Sequence, residues 1–262
     1  MTSHPDELSP RAVLTPLPID AGTVHVVRDD LLPGGTKQRA VHAYLRDAIA
    51  GGANSFVYAS PPPGFAQVAL AYVCQRLGVD CVLFCEQTGG EYHEYSLLAR
   101  SYGATIHPCA TLRVAEKEAE SYADTVADCR KLPLGFADPD YVRQLRAALA
   151  REWANITAEL GRRPRRVWLP VGSATLGLAF SDLLAESVHL HCVDVRILDP
   201  DDHRLQALAK RPGVTIYRTP ELFEQPCVDP PAIPANVHYD AKLWAFVRRH
   251  GADQDLWWNV AR

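Results

Sequence analysis

Residues 34 to 37, Gly-Gly-Thr-Lys, set a lysine directly behind two glycines, at the foot of a segment that is apolar at Val41, Tyr44, Leu45, Ala48 and Ile49. That spacing predicts an amphipathic helix from about Lys37 to Ala50. A helix N-terminus carries the positive end of the peptide dipole, so it disfavours an ammonium and favours the neutral amine that attacks a carbonyl. Glycines ahead of the helix let a ligand come close to the backbone. Lys37 is therefore a candidate Schiff-base nucleophile, set against the plainer alternative of one more solvated lysine.

A second feature lies in VWLPVGSATLGLAF, residues 167 to 180, where a strand runs into Gly172, Ser173, Ala174 and Thr175 and then into a helix containing Gly177. Such a turn collects backbone N–H groups, the positive end of a helix and two hydroxyls, which together suit a phosphate dianion. It lacks the lysine of a Walker loop and the G-x-G-x-x-G of a dinucleotide site, and an ordinary strand-to-helix turn would read the same way. Lysine and turn together suit a phosphorylated aldehyde, its aldehyde on Lys37 and its phosphate on the turn. Pyridoxal 5'-phosphate fits that description.

The elements that must position these residues alternate. Strands are expected at 23–27, 55–60, 80–86, 104–109, 165–171, 188–198 and 214–218, with helices at 37–50, 67–77, 91–102, 139–160, 176–186, 203–210 and 240–250. Strand and helix in turn imply βαβ units and mainly parallel sheets flanked by helices, an α/β fold. Residues 110–138 read as polar and strandless, the expected crossing between two α/β halves, and the proline-rich run 224–234 reads as a loop.

With 262 residues, 47% hydrophobic and 22% charged, the chain has the composition of a globular protein. Its 27 basic and 31 acidic residues give a net charge of −4, which leaves no footprint for nonspecific nucleic-acid binding. The N-terminal MTSHPDELSPRAVLTP has no apolar export segment and no run is long enough to span a bilayer, so a cytoplasmic protein with no membrane partner is expected. Seven cysteines, an odd number scattered through apolar stretches, read as reduced, buried thiols. Cys81 and Cys85 would lie on one face of a strand about 13 Å apart, too far to share a metal, so none is expected. The DPDDH run (199–203) reads as a solvated loop and RRPRR (162–166) as a charged turn.

The stretches TPL (15–17), VVRDDLLPGGTKQRAVHAYLRDAIAGGA (26–53), VCQRLGVDCVLF (73–84), YGATIH (102–107), VWLPVGSATLGLAF (167–180), HYDAKLWAFV (238–247) and the terminal DLWWN resemble the fold-type II pyridoxal-phosphate enzymes. The nearest likeness is to the branch of 1-aminocyclopropane-1-carboxylate deaminase and D-cysteine desulfhydrase. The resemblance implies the two-domain, tryptophan synthase beta-like fold: a smaller domain over 44–128, a larger cofactor-binding domain over 1–43 plus 129–262, the cofactor in the cleft between them, and a homodimer. It makes Lys37 the Schiff-base lysine and Gly172, Ser173, Ala174, Thr175 and Gly177 the phosphate cup. It also points to Tyr239 as a substrate-binding residue.

The chain departs from this family in three places. Where the family carries a Ser-Asn loop that holds the substrate carboxylate, this sequence has SPPPGFAQ (60–67), in which three prolines remove three N–H donors. Ser60 and the backbone amides from Gly64 through Phe65 to Gln67, at a helix N-terminus, remain to bind an anion. Near the pyridine nitrogen the family places Ser or Thr, and this chain offers Asn259 or its neighbour Val260. The chain is also shorter than the family between about 190 and 235. Trp257 and Trp258 are expected mainly in the core, with flanking of the cofactor ring as the alternative.

The expected activity is that of a lyase or deaminase acting at the α-carbon of an amino acid or amine. Decarboxylation is the rival, since a carboxylate freed from its clamp can turn perpendicular to the cofactor ring. The substrate could then be tethered to a larger molecule such as a modified nucleotide base, the one way a nucleic acid would enter. A pyridoxal-fold protein that binds without catalysis is the third expectation, against which Lys37 argues.

Overall fold

A computed structural model describes residues 8–184 and 187–262 of the chain. In chain order it runs β1 (Leu14–Ile19), β2 (Gly22–Arg28), α1 (Gly35–Ala50), β3 (Ser55–Ser60), α2 (Ala66–Leu77), β4 (Asp80–Glu86), α3 (Glu94–Ser101) and β5 (Thr105–Cys109). It continues through α4 (Leu112–Thr125), β6 (Cys129–Leu132), α5 (Pro139–Leu160), β7 (Arg166–Val171), α6 (Thr175–Leu183) and β8 (His189–Asp194). The last elements are α7 (His203–Ala209), β9 (Val214–Arg218), α8 (Trp244–His250) and β10 (Leu256–Asn259). Residues 1–7, and positions 185 and 186 of the helix expected over 176–186, lie outside the described residues. The chain groups into two compact units, Met1–Thr36 with Leu145–Arg262, and Lys37–Gln144.

The unit Lys37–Gln144 is built on a four-stranded sheet in the order β5-β4-β3-β6, with every neighbouring pair parallel. Its central strands, SFVYAS and DCVLFCE, are buried almost end to end, as strands covered on both faces must be. Ala115 and Ala119 of α4 pack against Val57, Ala59, Val82 and Phe84 on one face. The expectation that 110–138 holds no strand is wrong: it contains α4 and β6, both inside this unit. β6 is the four residues Cys-Arg-Lys-Leu at the sheet edge. An edge strand that short carries neither an apolar run nor a clear alternation for sequence reading to find.

The other unit holds a six-stranded sheet in the order β1-β2-β10-β7-β8-β9, parallel except for the β1–β2 hairpin. β1 reads LTPLPI, and Pro16 and Pro18 stand opposite His25 and Thr23. Prolines two apart send both missing donors to the same flank, which only an edge strand can leave unpaired. Trp168, Trp257, Val24 and Val26 of the sheet pack with Leu243 and Val247 in one core cluster. The helix expected over 240–250 begins as a 3-10 turn, Asp240–Leu243, and becomes α-helical only at Trp244. All seven cysteines are free thiols; five are buried as expected, while Cys129 and Cys227 are partly exposed. Among the described residues, no helix is long and apolar enough to cross a membrane.

Candidate active site

Lys37 is held by what precedes it. Gly35 has a φ of +62°, and a Cβ there would run into the Val260 carbonyl, so the start of α1 requires glycine. Thr36 donates its N–H to the Val260 carbonyl (2.9 Å) and its hydroxyl to Asp29 Oδ2 (2.8 Å), and accepts from Trp258 Nε1 (3.0 Å). Lys37 is the next residue, in the first turn of α1.

Within its own unit the Lys37 amine donates to the Gly135 carbonyl (3.4 Å) and lies 5.5 Å from the centre of the Phe136 ring. Gly135 and Phe136 both have left-handed backbones, φ 70° and 58°. For phenylalanine that costs about 1 to 2 kcal/mol. The ring is clamped edge-on by Tyr58 (5.1 Å) and Tyr141 (5.2 Å), and Gly135 donates its N–H to Tyr58 Oη (3.4 Å), which keeps the segment in place. The aromatic face favours an ammonium while enclosure opposes one. Enclosure prevails, and loss of hydration pushes the Lys37 amine down to about 8.

This shift carries a pH prediction. In cofactor-free protein, acylation of Lys37 should rise with pH around a midpoint near 8, where an ordinary lysine would respond near 10.5. Between those two values the unfolded chain binds more protons than the folded one, so the Lys37 contribution to stability rises with pH across that window. A labelling midpoint above 10 would refute the enclosed amine.

The loop 60–67 is closed on itself. Ser60 Oγ donates to the Pro61 carbonyl (3.0 Å) and Gly64 N to the same oxygen (3.0 Å). Gln67 is buried; its Nε2 donates to the carbonyls of Gly64 (2.9 Å) and Pro62 (3.3 Å), and its Oε1 accepts from Ser96 Oγ (2.9 Å) and Cys85 Sγ (3.4 Å). The Ser60 hydroxyl, expected to bind an anion, is thus engaged within the loop, and the Gln67 side chain is engaged by the loop and by Ser96 and Cys85. The donors that helix geometry leaves open are backbone N–H groups of the first turn of α2, next to the half-buried Phe65, whose ring lies against Tyr95.

The other sequence-selected residues gather in the other unit. Gly172 to Thr175 link β7 to α6; Ala174 adopts a left-handed backbone (φ 64°), and Ser173 Oγ lies 3.2 Å from Thr175 Oγ1. A Cβ at Gly172 would stand 2.9 Å from Tyr239 Cε1 and Oη, so the tyrosine phenol rests against the turn. Gly177 faces α7, where a Cβ would meet Leu208. Asn259 donates through Nδ2 to Asp30 Oδ1 (3.0 Å) and to the Pro234 carbonyl (2.8 Å), while its Oδ1 is buried without a partner among the described residues. Trp257 and Trp258 are wholly buried; Trp258 donates to Asp29 (3.0 Å) and meets Phe180 edge-on, and Trp257 stacks on Trp244.

Asp240 is a residue that sequence reading passed over. Its carboxylate accepts from the N–H groups of Val260 (2.6 Å) and Ala261 (3.1 Å), and burial, with Asp30 nearby, pushes its protonation well up from the usual range. It fixes the turn that follows Asn259. Its only signal was an acidic residue between Tyr239 and Ala241 in HYDAKLW. The Gly135–Phe136 cradle announced itself only as the turn signal Pro-Leu-Gly.

A family model described as pyridoxal-phosphate dependent enzyme matches residues 12–220, more than half of the chain. The chain belongs to this family. Its structure is similar to that of an ACC deaminase homologue (TM-score 0.77, 17% identity, 97% of this chain and 90% of that one). It is similar also to a hydrogen sulfide-producing enzyme from Fusobacterium nucleatum (TM-score 0.72, 14% identity, 100% and 98%). Escherichia coli diaminopropionate ammonia lyase is a further likeness (TM-score 0.68, 14% identity, 97% and 83%). At these identities the likenesses establish the fold, fold-type II. No curated protein matches the sequence significantly.

The residues fit the cofactor of the pyridoxal-phosphate family. Taken unit by unit, Lys37 would offer an amine lowered to about 8 to the aldehyde, while in the other unit the 172–177 turn would offer hydroxyls at the N-terminus of a nine-residue helix to the phosphate and Asn259 Oδ1, without a partner among the described residues, would accept from a ring N–H.

Proposed function

We propose that this protein is a pyridoxal-phosphate-dependent lyase acting at the α-carbon of an amino acid or amine, with Lys37 as the group that takes the cofactor aldehyde and later moves the α-proton. The observation that carries this reading is the enclosed Lys37 amine, lowered to about 8, at the start of α1. When bound, pyridoxal phosphate supplies an electron sink for charge developing at the substrate's α-carbon. The chain's part is to bind and orient. Gly172, Ser173, Ala174, Thr175 and Gly177 hold the phosphate, Asn259 faces the ring nitrogen, and Tyr239 borders the phosphate turn. With an amine near 8, Lys37 can accept a proton and return it at neutral pH. The names of the similar proteins, an ACC deaminase homologue, an ammonia lyase and a hydrogen sulfide-producing enzyme, favour deamination or β-elimination.

A second reading, decarboxylation of an amino acid, draws on the closed loop 60–67. With Ser60 and Gln67 engaged internally, the substrate carboxylate finds fewer side-chain donors, and each charge-assisted hydrogen bond forgone is worth roughly 1.5 to 3 kcal/mol. An α-carboxylate left unclamped can stand perpendicular to the ring, where its bond to the α-carbon is the one weakened. Binding energy from a remote part of a larger substrate would then set the orientation.

Product analysis separates the readings. Cofactor-loaded protein given D-cysteine or 1-aminocyclopropane-1-carboxylate should release ammonia and a keto acid at ordinary enzyme rates, on the order of 1 to 1000 per second. An amine product lacking one carbon dioxide would favour the second reading. Loaded protein that turns over none of a broad panel of amino acids and amines would overturn the lyase assignment and leave a binding protein.

A further inference from the structure

We propose that the turn between α5 and β7, together with the turn before β10, forms a binding site for a small ligand carrying two or three linked phosphates. A concavity of about 420 Å³ lies there, lined by Arg162, Arg163, Arg165, Asp253, Gln254 and Asp255, all within one unit of the chain. That volume is in the range of small-molecule sites.

The arginines are arranged for ligand contact. Pro164 is buried while Arg163 and Arg165 on either side of it are exposed, so a residue of fixed φ anchors the segment and projects two guanidinium groups. Neither guanidinium has a hydrogen-bond or ion-pair partner among the described residues. Arg162 reaches Gln254 Oε1, which also lies 3.0 Å from His25 Nε2. Gln254 holds this position on a left-handed backbone (φ 69°), the kind of strain that surrounding structure must over-determine; here its N–H donates to the Thr23 carbonyl (2.6 Å).

The two carboxylates of the wall are turned to protein donors. Asp255 accepts from Arg166 Nε (2.9 Å), Trp168 Nε1 (2.8 Å) and Ala252 N (3.0 Å), and Asp253 accepts from Thr23 N (2.9 Å) and Gln254 Nε2 (3.1 Å). Asp255 is balanced by Arg166 and Asp253 offsets one of the three wall guanidinium charges, which leaves a local positive site on a chain of net charge −4. Planar forks that donate two parallel bonds suit phosphate oxygens better than point charges do. The end of α5 at Leu160 favours cations nearby and accounts for Arg162 and Arg163. It does not account for Arg165, which follows the proline and leads into β7.

The pocket is at the N-terminal end of β7 and the Gly172 turn at the C-terminal end of the same six-residue strand, roughly 20 Å away at about 3.3 Å per residue. A phosphate held here is thus a separate ligand from one held on the 172–177 turn, and the site does not depend on the Lys37 chemistry.

The test is calorimetric titration of protein saturated with pyridoxal phosphate, so that the 172–177 turn is filled, using inorganic triphosphate at physiological salt. One triphosphate should bind per chain, and the exposed double substitution Arg163→Gln with Arg165→Gln should weaken it at least tenfold while cofactor absorbance and melting temperature stay unchanged. No binding at millimolar triphosphate, undiminished binding in the double variant, or equal heats from sodium chloride of matched ionic strength would each overturn the site.

Discussion

Replacing Lys37 with alanine is expected to lower turnover by at least 100-fold to 10,000-fold, the range for loss of a positioned acid–base group, while the phosphate turn still retains cofactor. In the unaltered protein, borohydride should fix the cofactor to the peptide containing Lys37, and in the variant it should fix none. The informative competitor is Lys242, a buried lysine whose amine is also lowered by burial. Its Nζ donates to the carbonyls of Leu222 (2.7 Å) and Phe223 (3.4 Å), which commits it to holding the loop that precedes α8. Mass spectrometry of the reduced protein decides between them. An adduct on Lys242, or a protein that takes up no pyridoxal phosphate, would sink the assignment of Lys37.

The second large effect is expected at Gly172. A side chain there would stand 2.7 Å from Ile197 Cδ1 and 2.9 Å from Tyr239, so Gly172→Val must displace either the tyrosine or the turn itself. Cofactor affinity should fall about 100-fold, about 2.7 kcal/mol at 1.36 to 1.4 kcal/mol per decade, with the fold retained. Thr175→Ala removes only a hydroxyl beside Ser173 and should cost roughly 1.5 to 3 kcal/mol if that hydroxyl donates to a phosphate. Cofactor titration followed by absorbance measures both variants. Unchanged affinity in the two together would place the phosphate elsewhere.

What could be read from the chain alone was local. The buried strands SFVYAS and DCVLFCE are continuous apolar runs, α1 and α5 have helical periodicity, and the α/β class follows from their alternation. The lysine behind two glycines and the glycine turn after β7 were legible because each is a backbone requirement met within a few residues. β1 was missed because its prolines argue against a strand unless it lies at an edge, and edge position is a property of the assembled sheet.

The chemistry around those residues was decided by tertiary structure. Lys37 meets the Gly135 carbonyl 98 positions away, Trp258 ties Thr36 across 222, and Asp240 holds the N–H groups of Val260 and Ala261 across about twenty. Spacing does not show that the Ser60 hydroxyl donates to the Pro61 carbonyl, or that the Gln67 side chain closes the loop on the Gly64 carbonyl and accepts from Ser96 of α3; the backbone amides from Gly64 to Gln67 are untouched by those side-chain bonds. Spacing along a chain reports periodicity and turns. It does not report which buried polar group will find its partner first, and in a low-dielectric interior that pairing determines which donors remain for a ligand.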